Sequence, residues 1–263
     1  MKTALALSLL LFTSSALAAV VGKDVTYKAG DTVMKGFLAF DDAAKDKRAG
    51  VLVVPEWWGA NDYARKRARM LASAGYVALV VDLYGNGQVA DNPKDAGALS
   101  GALAKNPALT QQRFQAAEHF LDGQPNVKKG EIAALGYCFG GAVVLNMARA
   151  GEPLKAVASY HGILKPDPSF KYTEIKPKLR VFHGEADPFV PPEQVVAFKA
   201  EMDKAKADYM FVAYPGVKHT FTNREADSYA AQFNLPLKYD NEADIDSWTR
   251  TLEFLKATLN QHE

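Results

Sequence analysis

Apolar and polar positions along this chain switch repeatedly between a period of two and a period near three and a half. Met34, Gly36, Leu38 and Phe40 fall at every second position, and residues 25–28 precede them across Ala29-Gly30-Asp31, so the pattern predicts an opening hairpin. Val51-Leu52-Val53-Val54 is apolar without interruption, the mark of a strand buried on both faces. Ala64, Ala68, Leu71 and Ala72 then recur at helical spacing after Asn61, a capping residue, and before Gly75, a stop. Residues 76–83 read as the next buried strand, 91–107 as a looser stretch and 110–121 as a helix. Downstream the alternation continues with strands over 131–137, 155–160, 178–183 and 208–214 and helices over 139–150 and 193–206. A closing helix over 244–259 carries Ile245, Trp248, Leu252, Leu255 and Leu259 on one face. Such alternation predicts an α/β fold, a mostly parallel central sheet with helices on both faces and an N-terminal hairpin.

The first residues break this rhythm. Met1-Lys2-Thr3 is a short positive start, residues 4–12 are apolar apart from Ser8, and Ala16-Leu17-Ala18 has the small-x-small form of a cleavage site. Residues 1–18 therefore read as a secretory signal, too short to span a bilayer. Residues 19–263 read as a single domain, since no linker, repeat or low-complexity tract interrupts them. The expected product is exported, periplasmic or secreted, with no membrane attachment after cleavage.

Composition narrows the function. Of 263 residues, 48% are hydrophobic and 23% charged, as in ordinary globular proteins. Lys and Arg number 31 against 30 Asp and Glu, and loss of Lys2 with the signal takes the formal charge from +1 to zero. That balance leaves no electrostatic footprint for nucleic acid or a polybasic membrane contact. One cysteine excludes an internal disulfide and any Cys-x-x-Cys site. No His-Glu-x-x-His or comparable spacing occurs, so neither a metal nor another cofactor is expected.

That one cysteine stands in Gly136-Tyr137-Cys138-Phe139-Gly140-Gly141, between a predicted strand and a predicted helix. Gly-x-Cys-x-Gly is the nucleophile-elbow pattern with cysteine where serine is commoner. A one-residue turn from strand to helix forces an unusual backbone, so the positions two before and two after the nucleophile must be tiny. Gly136 and Gly140 meet that need. The sulfur would sit at a helix N-terminus, where the dipole favours a thiolate by roughly 0.3–2 kcal/mol. This is too little to ionise a thiol whose ordinary pKa is near 8.5, so a base is required.

An elbow expects an acid and then a histidine further along the chain. Asp187 follows the strand over 178–183, and His219 follows the strand over 208–214. Both fall at the carboxyl edge of the sheet, where open α/β sheets bind ligands. His183 and His161 read as core or supporting residues, His119 lies in a helix and His262 in the tail. Gly85-Asn86-Gly87-Gln88-Val89-Ala90 matches the dinucleotide fingerprint in form only. Asp91-Asn92-Pro93 follows where a helix should open, so the loop reads as pocket rim.

Together with Pro55-Glu56-Trp57-Trp58-Gly59, Asp82-Leu83-Tyr84, Gly184-x-x-Asp187-x-x-Val190-Pro191 and His219-x-Phe221, the elbow resembles the dienelactone hydrolase family of α/β-hydrolases over nearly the whole predicted domain. The resemblance implies a Cys138–His219–Asp187 triad that hydrolyses an ester or lactone through a thioacyl enzyme. It implies an oxyanion hole from the backbone N–H groups of Trp57 and Phe139, and a regulatory role for Glu56 beside the cysteine. Trp58, Tyr84, Asn86, Tyr160 and Asn223 are the expected substrate-pocket residues. The family's carboxylate-binding arginines find Gly85-Asn86 and Asn223 at their places here, which makes a neutral or aromatic ester or lactone an equal candidate to dienelactone. Residues 223–240 are a candidate cover. The expected partner is a small-molecule ester or lactone, and the expected state a monomer or small homo-oligomer. A non-catalytic binding protein on a hydrolase scaffold and a thiol acyltransferase use the same residues and remain open.

Overall fold

In the computed structural model, which describes residues 20–259, the opening hairpin is longer than the alternating residues alone outline. Strands β1 (Val20–Ala29) and β2 (Thr32–Asp41) pair antiparallel from Val20 opposite Asp41 to Ala29 opposite Thr32. They lead into β3 (Arg48–Val54), β4 (Val77–Val80), β5 (Val127–Tyr137), β6 (Ala156–Tyr160), β7 (Lys178–Gly184) and β8 (Tyr209–Tyr214). The eight strands form one sheet in the order β1-β2-β4-β3-β5-β6-β7-β8. β2 meets β4 antiparallel, and every pairing from β4 across to β8 is parallel. The signal-like residues 1–18 and His262 lie outside the described residues.

The uninterrupted apolar run of β3 is explained by its two faces. Leu52 and Val54 pack into one layer with Phe114 and Leu121 of α3 (Pro107–Asp122), Val144 and Met147 of α4 (Phe139–Arg149) and Phe198 of α5 (Pro192–Lys204). Val51 and Val53 pack into the opposite layer with Ala64 and Leu71 of α1 (Asp62–Ser73) and Phe254 and Leu255 of α7 (Asn241–Thr258). Burial of each such side chain is worth about 1.5–3 kcal/mol. The Asn61 side chain caps α1 by accepting from the Ala64 N–H.

Four elements differ from the pattern, one of them a short helix, α6 (Ala226–Phe233), inside the candidate cover. Residues 91–107 contain a helix, α2 (Pro93–Ala104), capped by Asn92 accepting from the Asp95 N–H at 3.0 Å. Gly97 and Gly101 lower its intrinsic propensity, but the Asn92-Pro93 and Asn106-Pro107 pairs are both cap-plus-proline starts. β4 ends at Val80, because the chain turns away to wrap the Asp82 side chain. In α7 the buried stripe is Ala243, Ser247, Thr251, Phe254 and Leu255, while Ile245 is 58% exposed. Small polar residues let this helix approach the sheet, and Thr251 Oγ1 hydrogen-bonds the Tyr160 hydroxyl. No described helix is long and apolar enough to cross a membrane.

Candidate active site

β5 ends at Tyr137 and α4 begins at Phe139, which leaves Cys138 alone to turn the chain, with φ 53° and ψ −116°. The glycines permit this. A Cβ on Gly140 would stand 2.2 Å from the Val54 carbonyl oxygen, and one on Gly136 would stand 2.1 Å from that of Gly140. The Cys138 N–H donates to Tyr160 O at 3.0 Å and to His161 Nδ1 at 3.1 Å. The Gly140 N–H donates to Pro55 O at 3.1 Å, which draws the Glu56–Trp58 turn up to the elbow. The N–H groups of Trp57 and Phe139 donate to no acceptor among the described residues.

Asp187 and His219 come from the loops after β7 and β8, and both are buried. Asp187 Oδ1 accepts from the Phe189 N–H at 2.8 Å, which aims Oδ2 at His219 Nδ1, 2.6 Å away. The Nδ1 proton is thereby committed to the carboxylate, which leaves Nε2 for the Cys138 thiol that shares a cavity with this ring. Burial alone would lower the His219 pKa, but the charges and hydrogen bonds of Cys138 and Asp187 outweigh it and raise it to about 10. The following residue, Thr220, has φ 62°, and His161 has φ 40°.

Glu56 lies behind this row, completely buried, with its pKa pushed up to about 7. Desolvation is the cause; the hydrogen bond from Asn223 Nδ2 to Oε2 at 2.8 Å and the charges of His219 and Arg67 only partly oppose it. Oε1 has no hydrogen-bond partner among the described residues. The carboxyl is therefore in a position to share charge with the thiol–imidazole pair.

The thiol opens into a cavity of about 300 Å³ walled by Trp57, Phe139, Ile163, Phe189, Leu235 and Leu237, with His219 at one side. No Lys, Arg, Asp or Glu lines it. Leu235 and Leu237 follow α6 (Ala226–Phe233), so the segment over 223–240 does contribute a wall. The Leu237 backbone bridges to His219, and the Lys238 N–H donates to His219 O at 3.1 Å. A larger cavity of about 490 Å³, lined by Arg67, Asn223 and Tyr229 among others, does not include Cys138 or His219 in its lining.

The expected pocket residues are the part that does not assemble. Trp58 is buried and packs against Tyr229 and Phe233, with ring centroids 4.7 and 6.0 Å away, where it supports α6 from below. Tyr84 lies behind Phe139, and its hydroxyl donates to Trp57 O at 2.7 Å. Asn86 is exposed on a turn whose glycines wrap Asp82, not a ligand. The Asp82 carboxylate accepts the N–H groups of Lys35, Tyr84, Gly85 and Gly87, so the fingerprint-like loop already holds its own anion. Tyr160 is stacked between Tyr137 and Phe182 in the α7 layer. Asn223 is turned to Glu56 and away from the cavity. Sequence reasoning missed Phe189, whose ring meets His219 edge-on at 4.9 Å, along with the specific placements of His161, Ile163, Leu235 and Leu237. His183 lies near Phe211, away from the cavity lining.

A family model described as the dienelactone hydrolase family matches residues 34–259. A relative from Aquifex aeolicus named "Putative carboxymethylenebutenolidase" is 26% identical over 244 residues, 91% of this chain and 100% of its own. A "Probable 2-oxo-3-(5-oxofuran-2-ylidene)propanoate lactonase" from Bradyrhizobium sp is 25% identical over 215 residues, 78% of this chain and 82% of that one. Among solved structures, a dienelactone hydrolase-like promiscuous phosphotriesterase from metagenomic libraries aligns at TM-score 0.85 and 32% identity, covering 92% of this chain and all of the other.

Proposed function

The chain belongs to the dienelactone hydrolase family, an ester and lactone hydrolase of the α/β-hydrolase fold, and on that premise we propose that Cys138 is its nucleophile toward a neutral, largely apolar ester or lactone. The observation that carries this reading is the row Cys138–His219–Asp187 opening into a cavity lined by no Lys, Arg, Asp or Glu. His219 takes the thiol proton while Asp187 holds the resulting imidazolium. Sulfur attacks the carbonyl carbon, and the oxyanion forms against the unengaged N–H groups of Trp57 and Phe139. Each such donor is worth roughly 2.7–4 kcal/mol to the transition state. Collapse expels the alkoxide, which His219 protonates, and leaves a thioester. Water deprotonated by His219 then attacks the thioester and releases the acid and the thiol. In a lactone the leaving alcohol stays attached to the acyl group.

A panel of p-nitrophenyl esters and small lactones, run against wild type and Cys138→Ala, tests the reading. Turnover by wild type and none by the variant supports it; unchanged turnover in Cys138→Ala overturns it. Ligand-dependent melting shifts without any turnover favour a binding protein, and partition of product toward added alcohols or amines favours acyl transfer. A neutral phosphotriester belongs in the panel, because the mostly apolar cavity suits one and a 32% identical structure carries that activity in its name. Residues 1–18 are proposed to direct export of a single domain over 19–263. Cell fractionation with mass analysis of the mature N-terminus tests this, and retention of Met1 in a cytoplasmic product refutes it.

A further inference from the structure

His161 is buried, has titratable nitrogens and plays no part in the proton relay. Its ring is nevertheless the one side chain, among the described residues, that hydrogen-bonds the backbone of the cysteine turn. Nδ1 accepts the Cys138 N–H at 3.1 Å, so the proton of the neutral ring is on Nε2, which meets Thr222 Oγ1 at 2.8 Å. Thr222 is anchored in turn. Its Oγ1 pairs with the Tyr63 hydroxyl at 2.6 Å, and its carbonyl accepts from Arg67 at 2.6 Å. Thr222 belongs to the loop that carries His219 and Asn223, and the His161 and His219 rings meet edge-on at 5.1 Å.

We propose that His161 is a positioning residue: one neutral imidazole ties the Cys138 turn to the Thr222 loop and so fixes the distance between Cys138 and His219. Burial, with the charges of His219 and Arg67 beside it, lowers the His161 pKa well below its ordinary value, which keeps Nδ1 free to accept. Neither His161 nor Thr222 lines the cavity, so the tie bears on the reacting groups and not on substrate contacts. This inference rests on Cys138 being the nucleophile.

The test compares His161→Phe, which keeps a planar ring but no hydrogen bonds, with His161→Asn, Thr222→Val and the double variant His161→Phe/Thr222→Val. A small misplacement of a nucleophile against its base costs up to about 100-fold in rate. We expect His161→Phe and Thr222→Val each to lower kcat and the iodoacetamide alkylation rate of Cys138 by roughly 10- to 100-fold, with KM within about twofold of wild type. The double variant should be no slower than His161→Phe alone, because both break one tie. His161→Asn, which retains an acceptor for the Cys138 N–H, should recover part of the alkylation rate. Wild-type kcat in His161→Phe, multiplicative losses in the double variant, or a KM effect alone would each overturn the tie. If His161→Phe does not fold, His161→Asn and Thr222→Val carry the same comparison. An inactive Cys138→Ala with an unaffected His161→Phe refutes the tie only, whereas an active Cys138→Ala refutes the nucleophile assignment beneath it.

Discussion

Glu56→Gln separates the electrostatic cost of the buried carboxyl from its packing. Moving from an ordinary 4.5 to about 7 on folding corresponds to about 3 kcal/mol. Because the folded protein holds this proton more tightly than the unfolded chain, the contribution of Glu56 is fully present below pH 4.5. It is lost as pH rises through about 7. Glutamine is neutral at every pH, has nearly the same shape and can still accept from Asn223. The two proteins should therefore unfold alike near pH 4.5. Above pH 7 the variant should be the more stable by up to about 3 kcal/mol, which is on the order of 6–12 °C in Tm for a chain of this size. Urea and thermal unfolding across this range read the difference directly. A stability difference that does not change with pH, or a variant less stable at pH 8, would refute the assignment. Iodoacetamide alkylation of Cys138 followed over the same range gives a second readout, and the wild-type profile should lose its inflection near 7 in the variant.

Asp187→Asn removes the charge that holds the imidazolium and should cut kcat by about 10²–10⁴ with KM nearly unchanged, measured by steady-state kinetics. Gly140→Ala puts a methyl 2.2 Å from the Val54 carbonyl, so the elbow must shift; reduced unfolding midpoints and loss of rapid Cys138 alkylation should appear together. Leu237→Asp places a carboxylate in a cavity lined by no Lys, Arg, Asp or Glu and should raise KM for an alkyl ester at least about 10-fold, while a cationic ester is affected less.

The succession of strands, the helices other than α2 and α6, the elbow and the pairing of Asp187 with His219 were legible because each follows from local chemistry. Small residues must flank a one-residue turn, and loop residues after parallel strands gather at one edge. Strand parity also fixes the side of Tyr160. It shares its face of β6 with Ala156 and Ala158, whose side belongs to the α7 layer. What the chain does not display locally is which loop residues meet across the edge. Asn223 reaching back to Glu56 depends on how the loop after β8 crosses to the end of β3, and His161 reaching the Cys138 N–H depends on the positive φ with which the chain leaves β6; no periodicity encodes either. The buried stripe of α7 is hidden from the periodicity for a related reason. The helix packs through Ser247 and Thr251 because the layer beneath is filled by Tyr137 and Tyr160, so the bulkier Ile245 is left outside.

Cys138, His161 and Thr220 all hold positive φ within one site, and none is a glycine. Conformations of this kind cost on the order of 1–3 kcal/mol each, against a total stability of roughly 5–15 kcal/mol for a typical domain. Selection for heat tolerance and selection for turnover therefore pull this corner of the molecule in opposite directions. A lineage released from the need to hydrolyse its substrate would grow sturdier here as it fell silent.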